Sequence, residues 1–345
     1  MSKIYRVGIS GAGFGVKAHL PALLAHPRFD VVALASPSSA AAVARERNIP
    51  NAFTSAQAMV AGCELDCVVV ASPPFAHRED VLASLDARLN VLCEKPFALN
   101  VEEAEEMVAA SLNAQTACGV AHEFRFVPQR MALKELVANG HLSPVREIEV
   151  TQLGTFLRAS GERERGWWFE RERGGGLAGA LLSHVIDSAN WTIGRAPKRA
   201  IGMLRTANPS RHDAQGEFTS TVDDGAFALL DYGDGAIGRL TADGTAAVES
   251  FTLAVHGEHR TAVASGQTIV DMALYTVDDE EQNELQCKPS PYAKFSSING
   301  NVPLLMELYD QWIAQIETGT SALPTFEEAL VTQRVLAEIG YTTAS

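Results

Sequence analysis

Short apolar runs alternate with helix-like segments through the first 121 residues. The apolar runs occupy positions 4–10, 29–36, 52–54, 66–72, 91–93 and 116–121. In the segments between them, Ser55 and Asn100 stand where helices would be capped. Strands buried on both faces read as continuous apolar runs, and parallel strands are joined by helices. The pattern therefore predicts an α/β domain built on a doubly wound parallel sheet.

Residues 122–345 follow a different pattern, in which turn residues separate short alternating segments. The alternating segments are 226–231, 236–240 and 251–255. The turns between them, Tyr232-Gly233-Asp234-Gly235 and Asp243-Gly244, predict antiparallel hairpins. Two amphipathic helices are predicted over 302–316 and 325–339, the second capped by Thr325.

Two domains follow from this change of pattern. We expect a dinucleotide-type domain over 1–121 and an α+β domain over 122–345 with a large, mostly antiparallel sheet. One broad face of such a sheet needs to be covered. A homodimer or homotetramer packed through that face is therefore expected.

The charge balance argues against several classes of partner. With 28 basic and 42 acidic residues the formal charge is −14, which disfavours non-specific binding to nucleic acid or anionic membranes. The first residues run into a strand pattern without a secretory signal, and no apolar stretch of about 18 residues occurs. We therefore expect a cytoplasmic protein. Cys63 and Cys67 have no second Cys/His pair at ligand spacing, so the five cysteines are interpreted as buried thiols and no metal site is predicted.

A glycine cluster follows the first predicted strand. Gly11, Gly13 and Gly15, with Phe14 between the last two, precede a helix-like segment. Glycines at such a junction let the backbone turn tightly and approach a pyrophosphate at a helix amino terminus. The usual pattern has a small third residue at position 16, which here is Val16. The cluster alone is therefore compatible with either a dinucleotide site or a structural turn.

The end of the second strand bears on the choice of cofactor. An acidic residue there would bind both ribose hydroxyls of NAD and repel the extra phosphate of NADP. This chain has Ser36 followed by Pro37, without a carboxylate or an adjacent arginine. The sequence therefore allows NAD or NADP and leans slightly toward NADP.

The stretch Asn90 to Phe97 places a lysine at the end of a buried strand. After the apolar run come Glu94, Lys95 and Pro96. In an open α/β sheet, ligands bind at the carboxyl ends of the strands. Lys95 is therefore a candidate to contact a bound cofactor, although a lone lysine in this position is often a surface residue.

Five motifs give the chain a resemblance to the glucose–fructose oxidoreductase and inositol dehydrogenase (Gfo/Idh/MocA) family. They are G-A-G-F-G-V-K-A-H-L-P-A at 11–22, A-S-P-P-F-A-H at 71–77, C-E-K-P-F at 93–97, H-E-F-R-F-V-P at 122–128 and G-G-G-L-A-G-A-L-L-S-H-V-I-D at 174–187. The resemblance covers about the first 200 residues. It implies a Rossmann domain followed by a substrate domain of mostly antiparallel sheet.

The resemblance also implies roles for individual residues. Lys95 would contact both the nicotinamide ribose and the substrate oxygen, and His77 would brace the loop before it. The remaining residues expected around the cofactor are Gly11, Gly13, Phe14, Gly15, Ser36, Ser72, Pro73, Phe75, Glu94 and Glu123.

His184 and Asp187 lie three residues apart in a predicted helix, so both project from one face. An imidazole beside the nicotinamide suits proton exchange near neutral pH, and the resemblance makes His184 a candidate catalytic residue. Many sugar dehydrogenases of the family carry Asp and Gly where this chain has Ala180 and Leu182. Either Lys95 and His184 suffice, or Asp187 or Glu123 takes over, or catalysis is lost.

Two further candidates lie in the second predicted domain. Arg125 is either a structural arginine tying the two domains or a substrate ligand. The run from Arg158 to Arg173 has five arginines and two adjacent tryptophans, Trp167 and Trp168. It is interpreted either as a solvated or subunit-contact loop or, through Trp168, as the wall of a sugar-sized pocket.

These observations lead to a leading hypothesis and two rivals. The first is an NAD(P)-dependent oxidoreductase acting on a sugar, polyol or related hydroxy compound, with Lys95 polarising the substrate oxygen and His184 exchanging its proton. The second is an enzyme that cleaves glycosides while recycling its cofactor. The third is a dinucleotide-binding sensor or scaffold without turnover.

Overall fold

The computed structural model describes residues 2–159, 163–278 and 281–341. The chain forms two compact units. The first combines Met1–Glu123 with Ser290–Leu330, and the second combines Phe124–Pro289 with Val331–Ser345. The boundary after Glu123 lies close to the expected one. The segment Ser290–Leu330, however, belongs to the first unit, whereas the sequence placed all of 122–345 in the second.

Helices and strands alternate as the amino-terminal pattern predicts. The α-helices in the described residues are α1 (Leu20–Ala25), α2 (Ala40–Arg47), α3 (Ala56–Gly62), α4 (Pro74–Asp86), α5 (Val101–Ala114), α6 (Pro128–Ala138), α7 (Ser183–Ile193), α8 (Val302–Thr318) and α9 (Phe326–Glu338). The strands there are β1 (Tyr5–Ser10), β2 (Phe29–Ala35), β3 (Asn51–Phe53), β4 (Cys67–Val70), β5 (Asn90–Cys93), β6 (Cys118–Val120), β7 (Val145–Leu153), β8 (Arg199–Arg205), β9 (Ser210–Asp213), β10 (Gly216–Thr219), β11 (Gly225–Gly233), β12 (Ala236–Asp243), β13 (Ser250–Gly257), β14 (Thr261–Thr268), β15 (Asp271–Val277) and β16 (Gln282–Leu285).

The first unit contains the predicted doubly wound sheet. Its six strands are all parallel, in the order β3-β2-β1-β4-β5-β6. Every residue of β4 is buried, because helices cover both faces. The predicted caps are confirmed, since Ser55 accepts from the backbone N–H of Ala58 and Asn100 from that of Glu103.

The segment Ser290–Leu330 adds α8 to the first unit. Trp312 of this helix stacks on Phe29 and donates from Nε1 to the carbonyl oxygen of Ala117 at 3.0 Å. The N–H of Val120 donates to the carbonyl oxygen of Pro324 at 2.9 Å. A stretch remote in sequence therefore supports the edge of the sheet at β6.

The second unit contains an eight-stranded sheet with the order β16-β15-β14-β13-β7-β12-β11-β8. All its neighbours are antiparallel except β7 and β12, which are parallel. The hairpin predicted at Tyr232–Gly235 is confirmed between β11 and β12, where Gly233, Asp234 and Gly235 all have positive φ. A mostly antiparallel sheet is therefore confirmed.

The second predicted hairpin, at Asp243-Gly244, is wrong. Strands β12 and β13 are not neighbours, because β7 lies between them and pairs with both. The chain therefore crosses over β7 after Gly244, whose N–H donates to the carbonyl oxygen of Asp224. A turn signal in the sequence marks a reversal but does not determine which strand takes the adjacent place.

The carboxyl-terminal helices begin and end close to their predicted bounds. Thr325 accepts from the N–H of Glu328, whose carboxylate in turn accepts from the N–H of Thr325, so a capping box opens α9. Across the described part of the chain, every helix is too short or too polar to cross a lipid bilayer.

Candidate active site

The glycine turn follows β1 in the first unit, and each of its three glycines is required for a different structural reason. Gly11 has a φ of +109°, and a Cβ there would lie 2.1 Å from the carbonyl oxygen of Ala71. Gly13 has no atom within 4 Å of the position of a Cβ, so its backbone is open to a ligand. A Cβ on Gly15 would lie 3.0 Å from the side chain of Ile9, which gives close packing on β1. A tight turn, an open backbone and close packing are what a pyrophosphate site requires.

His77 joins the two loops expected to border the cofactor. Its Nε2 lies 2.7 Å from the carbonyl oxygen of Ser72, and its Nδ1 lies 3.0 Å from that of Pro96. Burial lowers the pKa of His77, and hydrogen bonds to backbone carbonyls oppose this shift. Because Lys95 immediately precedes Pro96, the histidine fixes the loop of Ser72 beside the end of β5.

The other predicted cofactor residues of these loops lie at helix starts and strand ends. Pro73 is the cap residue of α4, and Phe75 in its first turn is partly exposed. Ser36 follows β2, and its Oγ lies 2.9 Å from that of Ser39. The structure therefore shows a hydroxyl pair where a carboxylate would select NAD.

Asp80 belongs to this region and was missed from the sequence. Its Oδ2 accepts hydrogen bonds from the hydroxyls of Ser10 at 2.7 Å and Ser72 at 2.8 Å, so it ties β1 to the loop after β4. Burial raises the pKa of Asp80, although the two hydroxyls lower it in part. The sequence could have indicated Asp80, because it lies three residues after His77 and so on the same face of α4.

Glu94 directly follows β5 and belongs to a series of buried, hydrogen-bonded side chains. Its Oε1 lies 2.8 Å from His19 Nε2, and His19 Nδ1 lies 2.8 Å from the hydroxyl of Tyr309 on α8. Its Oε2 accepts from the N–H of Lys95 at 3.2 Å. Burial raises the pKa of Glu94, but the His19 hydrogen bond and charge, with that of Lys95, outweigh it, so the pKa lies below the usual range.

Tyr309 and His19 were not among the sequence candidates. Burial, together with the charges of Glu94 and Glu123, holds the pKa of Tyr309 well above its usual value. Glu123 itself is buried at the end of the first unit. The ring of Phe14 meets that of His19 edge-on, with centroids 5.7 Å apart. The glycine turn and the end of β5, which leads to Lys95, therefore contact the same group of buried polar side chains.

His184 lies at the start of α7 in the second unit. Its ring stacks on that of Phe124, with centroids 4.1 Å apart and an interplanar angle of 21°. Asp187 is one turn further along and is also buried, as is His184. The two side chains occupy one face of the helix, as their spacing predicts.

Arg125 forms an ion pair with Asp187 inside the second unit. Its Nε donates to Asp187 Oδ2 at 2.8 Å, and its Nη2 donates to Oδ1. Arg130 on α6 donates to the hydroxyl of Ser188 at 2.8 Å, and burial lowers its pKa to about 10. The face of α7 that carries His184 is therefore anchored by two buried arginines.

The turn before α7 contains Ala180, the position at which many sugar dehydrogenases of the family carry an aspartate. Ala180 lies in a π-helical turn, Ala178–Leu182, which leads directly into α7. The N–H of Ala178 donates to Oδ2 of buried Asp223 at 2.6 Å. Asp223 therefore caps the helical segment that carries His184. This role was not predicted from the sequence, because Asp223 lies 45 positions after Ala178.

Trp168 is buried in a loop of short 3₁₀ turns. The guanidinium of Arg163 lies 4.3 Å from the centre of its ring, and Phe156 meets it edge-on at 6.4 Å. The predicted loop 158–173 is described except for residues 160–162. In the part described, Trp168 contributes to packing and Trp167 is partly exposed.

Glu147, Glu149 and His256 offer ligand atoms within 4.8 Å of one another. The guanidinium of Arg239 lies 2.7 Å from Glu147 and 2.8 Å from Glu149. Arg239 therefore already supplies one positive charge to the two carboxylates.

A glycine turn open to a pyrophosphate, on a parallel six-stranded sheet, defines a dinucleotide-binding protein. Residues 5–122 match the family described as an oxidoreductase family with an NAD-binding Rossmann fold, and residues 131–263 match the Gfo/Idh/MocA C-terminal domain. The chain belongs to the Gfo/Idh/MocA oxidoreductase family.

Individual relatives agree with this assignment. An uncharacterized oxidoreductase of Synechocystis sp. is 34% identical over 199 residues, which are 57% of this chain and 53% of that protein. The 1,5-anhydro-D-fructose reductase of Ensifer adhaerens is 29% identical over 234 residues, which are 66% of each. The chain thus spans between half and two thirds of the length of these two relatives.

The fold is shared with a solved enzyme structure. A levoglucosan dehydrogenase in complex with NADH and L-sorbose matches with a TM-score of 0.86 and 21% identity. The match covers 99% of this chain and 97% of that one.

Proposed function

We propose that the protein is an NAD(P)-dependent oxidoreductase that moves hydride between a sugar, polyol or related hydroxy compound and the nicotinamide. The carrying observation is the first unit's site, in which the open glycine turn, the Ser72 loop and the end of β5 are tied together by His77 and Asp80. The 1,5-anhydro-D-fructose reductase and a levoglucosan dehydrogenase among the similar proteins support the substrate class.

Bound nicotinamide would accept or supply the hydride at its C4 atom. Lys95 would polarise the substrate oxygen and contact the nicotinamide ribose. His184, buried and held against Phe124, would exchange the proton of the hydroxyl. In this proposal Asp187 and Arg125 support α7 through their ion pair, and Trp168 forms a wall for the substrate. Both carboxylate oxygens of Asp187 face Arg125, which favours support over proton transfer for Asp187.

In this proposal the site accepts both NAD(H) and NADP(H), with a slight preference for NADP(H). Ser36 and Ser39 present hydroxyls and no carboxylate at the end of β2. A carboxylate at this place would repel the 2′-phosphate of NADP. The five cysteines are free, which supports placing the enzyme in the reducing cytoplasm.

The first experiment is a parallel fluorescence titration with NADH and NADPH, followed by a screen of sugars and polyols with the cofactor that binds. Lys95→Ala is expected to lower turnover by at least 100-fold, while Lys3→Ala, which removes an exposed lysine bonded to Asp66, leaves it unchanged. Full turnover by Lys95→Ala would contradict the role of Lys95. Binding of cofactor without turnover of any compound would favour the sensor or scaffold, and product formation without net NAD(P)H would favour the glycoside-cleaving alternative.

We also propose that a second copy of the chain covers the outer face of β8, β11 and β12, giving a homodimer or homotetramer. On this face Ile201, Met203, Leu229 and Ile237 are 61, 62, 46 and 41% exposed. Leu229 pairs with Ile201 on one side and Arg239 on the other, so the apolar surface is continuous and has a charged edge. A patch of this kind on neighbouring strands is typical of protein interfaces.

Light scattering at micromolar concentration tests the assembly. Met203→Asp should shift the mass to that of a monomer, whereas Ile4→Asp, at a side chain 58% exposed elsewhere, should not. A wild-type protein that is monomeric throughout would overturn this part of the proposal.

A further inference from the structure

The chain from Tyr309 through His19 to Glu94 lies wholly within the first unit and ends at the backbone of Lys95. Three contacts of 2.8, 2.8 and 3.2 Å connect the phenol hydroxyl, the imidazole, the carboxylate and the Lys95 N–H. Tyr309 and His19 have no exposed surface. Tyr309 lies outside both ranges that match the family, 5–122 and 131–263.

The proton order, meaning which group donates and which accepts in each hydrogen bond from Tyr309 to Glu94, is defined. Glu94 is an acceptor because its pKa lies below the usual range, so His19 Nε2 carries the proton between them. The Tyr309 hydroxyl keeps its proton because burial raises its pKa, so it can donate to Nδ1 on the other side of the ring. Every donor therefore points toward Glu94.

Packing fixes the tyrosine ring independently of its hydroxyl. The ring of Tyr309 meets that of Phe29 at 5.4 Å and lies near Trp312, which donates to the carbonyl oxygen of Ala117. The hydroxyl is thus the part of the side chain available to act on His19. Removing it leaves the buried Nδ1 of His19 without its hydrogen-bond donor.

We propose that Tyr309 is a positioning residue, which through His19 and Glu94 fixes the strand end from which Lys95 reaches the cofactor. The inference rests on the proposed role of Lys95 at the cofactor. The backbone supports it, because the N–H of Glu94 donates to the carbonyl oxygen of Val70 at 2.8 Å and its Oε2 accepts from the next N–H. Movement of the Glu94 carboxylate therefore acts directly on Lys95.

The test is a double-mutant cycle on cofactor affinity, which requires no knowledge of the substrate. Whichever of NADH and NADPH binds more tightly is titrated against the wild type, Tyr309→Phe, Lys95→Ala and the double variant. We expect Tyr309→Phe to weaken binding roughly 10-fold when Lys95 is present and less than 2-fold when it is absent. Tyr292→Phe is the matched control, since its hydroxyl donates to Asp310 on α8 at 2.7 Å in a separate contact, and it should leave affinity unchanged.

An equal loss of affinity in both backgrounds would show that Tyr309 acts independently of Lys95 and would overturn the inference, as would wild-type affinity in Tyr309→Phe. Nitrogen-15 NMR of the histidines adds a readout without cofactor: His19 should carry a proton on Nε2, and its Nδ1 resonance should shift in Tyr309→Phe because it loses the hydrogen bond from the hydroxyl. An unchanged His19 signal would contradict the proton order. If Tyr309→Phe does not fold, His19→Gln tests the same chain. Failure of Lys95→Ala to weaken cofactor binding would instead refute the proposed role of Lys95.

Discussion

Replacing Asp187 by Asn should destabilise the second unit strongly. Asp187 and Arg125 have side chains only 3% and 4% exposed, and they are joined by two hydrogen bonds. The substitution keeps the size of the side chain but removes the negative charge and one of the two acceptors, because the amide nitrogen of Asn cannot accept from the guanidinium. The guanidinium stays charged, because arginine does not lose its proton in the accessible pH range.

The expected size follows from the burial of the pair. Removing one partner of a buried ion pair costs about 3–5 kcal/mol. For a unit of this size, each kcal/mol lowers the melting temperature by roughly 2–4 °C. The melting temperature of the second unit should therefore fall by about 6–20 °C.

Differential scanning calorimetry measures this effect, with Glu106→Gln as a matched control. Arg78 and Glu106 also form two hydrogen bonds, but their side chains are 38% and 47% exposed. Exposed pairs contribute little because water competes for both partners, so Glu106→Gln should leave the melting temperature nearly unchanged. Equal melting temperatures for the two variants would refute the reasoning from burial.

Three further outcomes are expected. Gly11→Ala should weaken NADH binding at least 10-fold, because φ is +109° and the added Cβ would lie 2.1 Å from a carbonyl oxygen, whereas Gly166→Ala, with open space around it, should not. Glu94→Gln should be less stable than the wild type above pH 4.5, its ordinary pKa, and the difference should disappear as pH falls through the lowered pKa of Glu94, as urea unfolding at several pH values would show. Cys67 should resist a thiol reagent in the folded protein because burial raises its pKa, so Cys67→Ala should leave the number of reactive folded-state thiols unchanged.

Much of the fold could be predicted because local sequence carries the signals for local structure. Buried strands such as β4 appear as uninterrupted apolar runs, and helix starts appear as Ser55, Asn100 and Thr325 at capping positions. The glycine turn and the lysine after β5 were identified for the same reason. Each depends on backbone conformation within a few residues.

Strand neighbours and buried networks depended on contacts between distant residues. Nothing in the turn at Asp243-Gly244 indicates that β7, about 90 residues earlier, occupies the place beside β12. Likewise, Tyr309 reaches His19 over 290 positions in the chain, and Arg125 reaches Asp187 over 62. Hydrophobic periodicity reports which side of an element is buried, but not which element buries it.

The sequence by itself determined the parallel sheet, the antiparallel character of the second domain, the glycine turn and the position of Lys95. Only the tertiary structure decided that Ser290–Leu330 joins the first unit and that Glu94 is held through His19 by Tyr309. The physical reason is that local propensities act over one or two turns of chain. A buried hydrogen bond, by contrast, depends on which distant groups the packing of whole elements brings within about 3 Å.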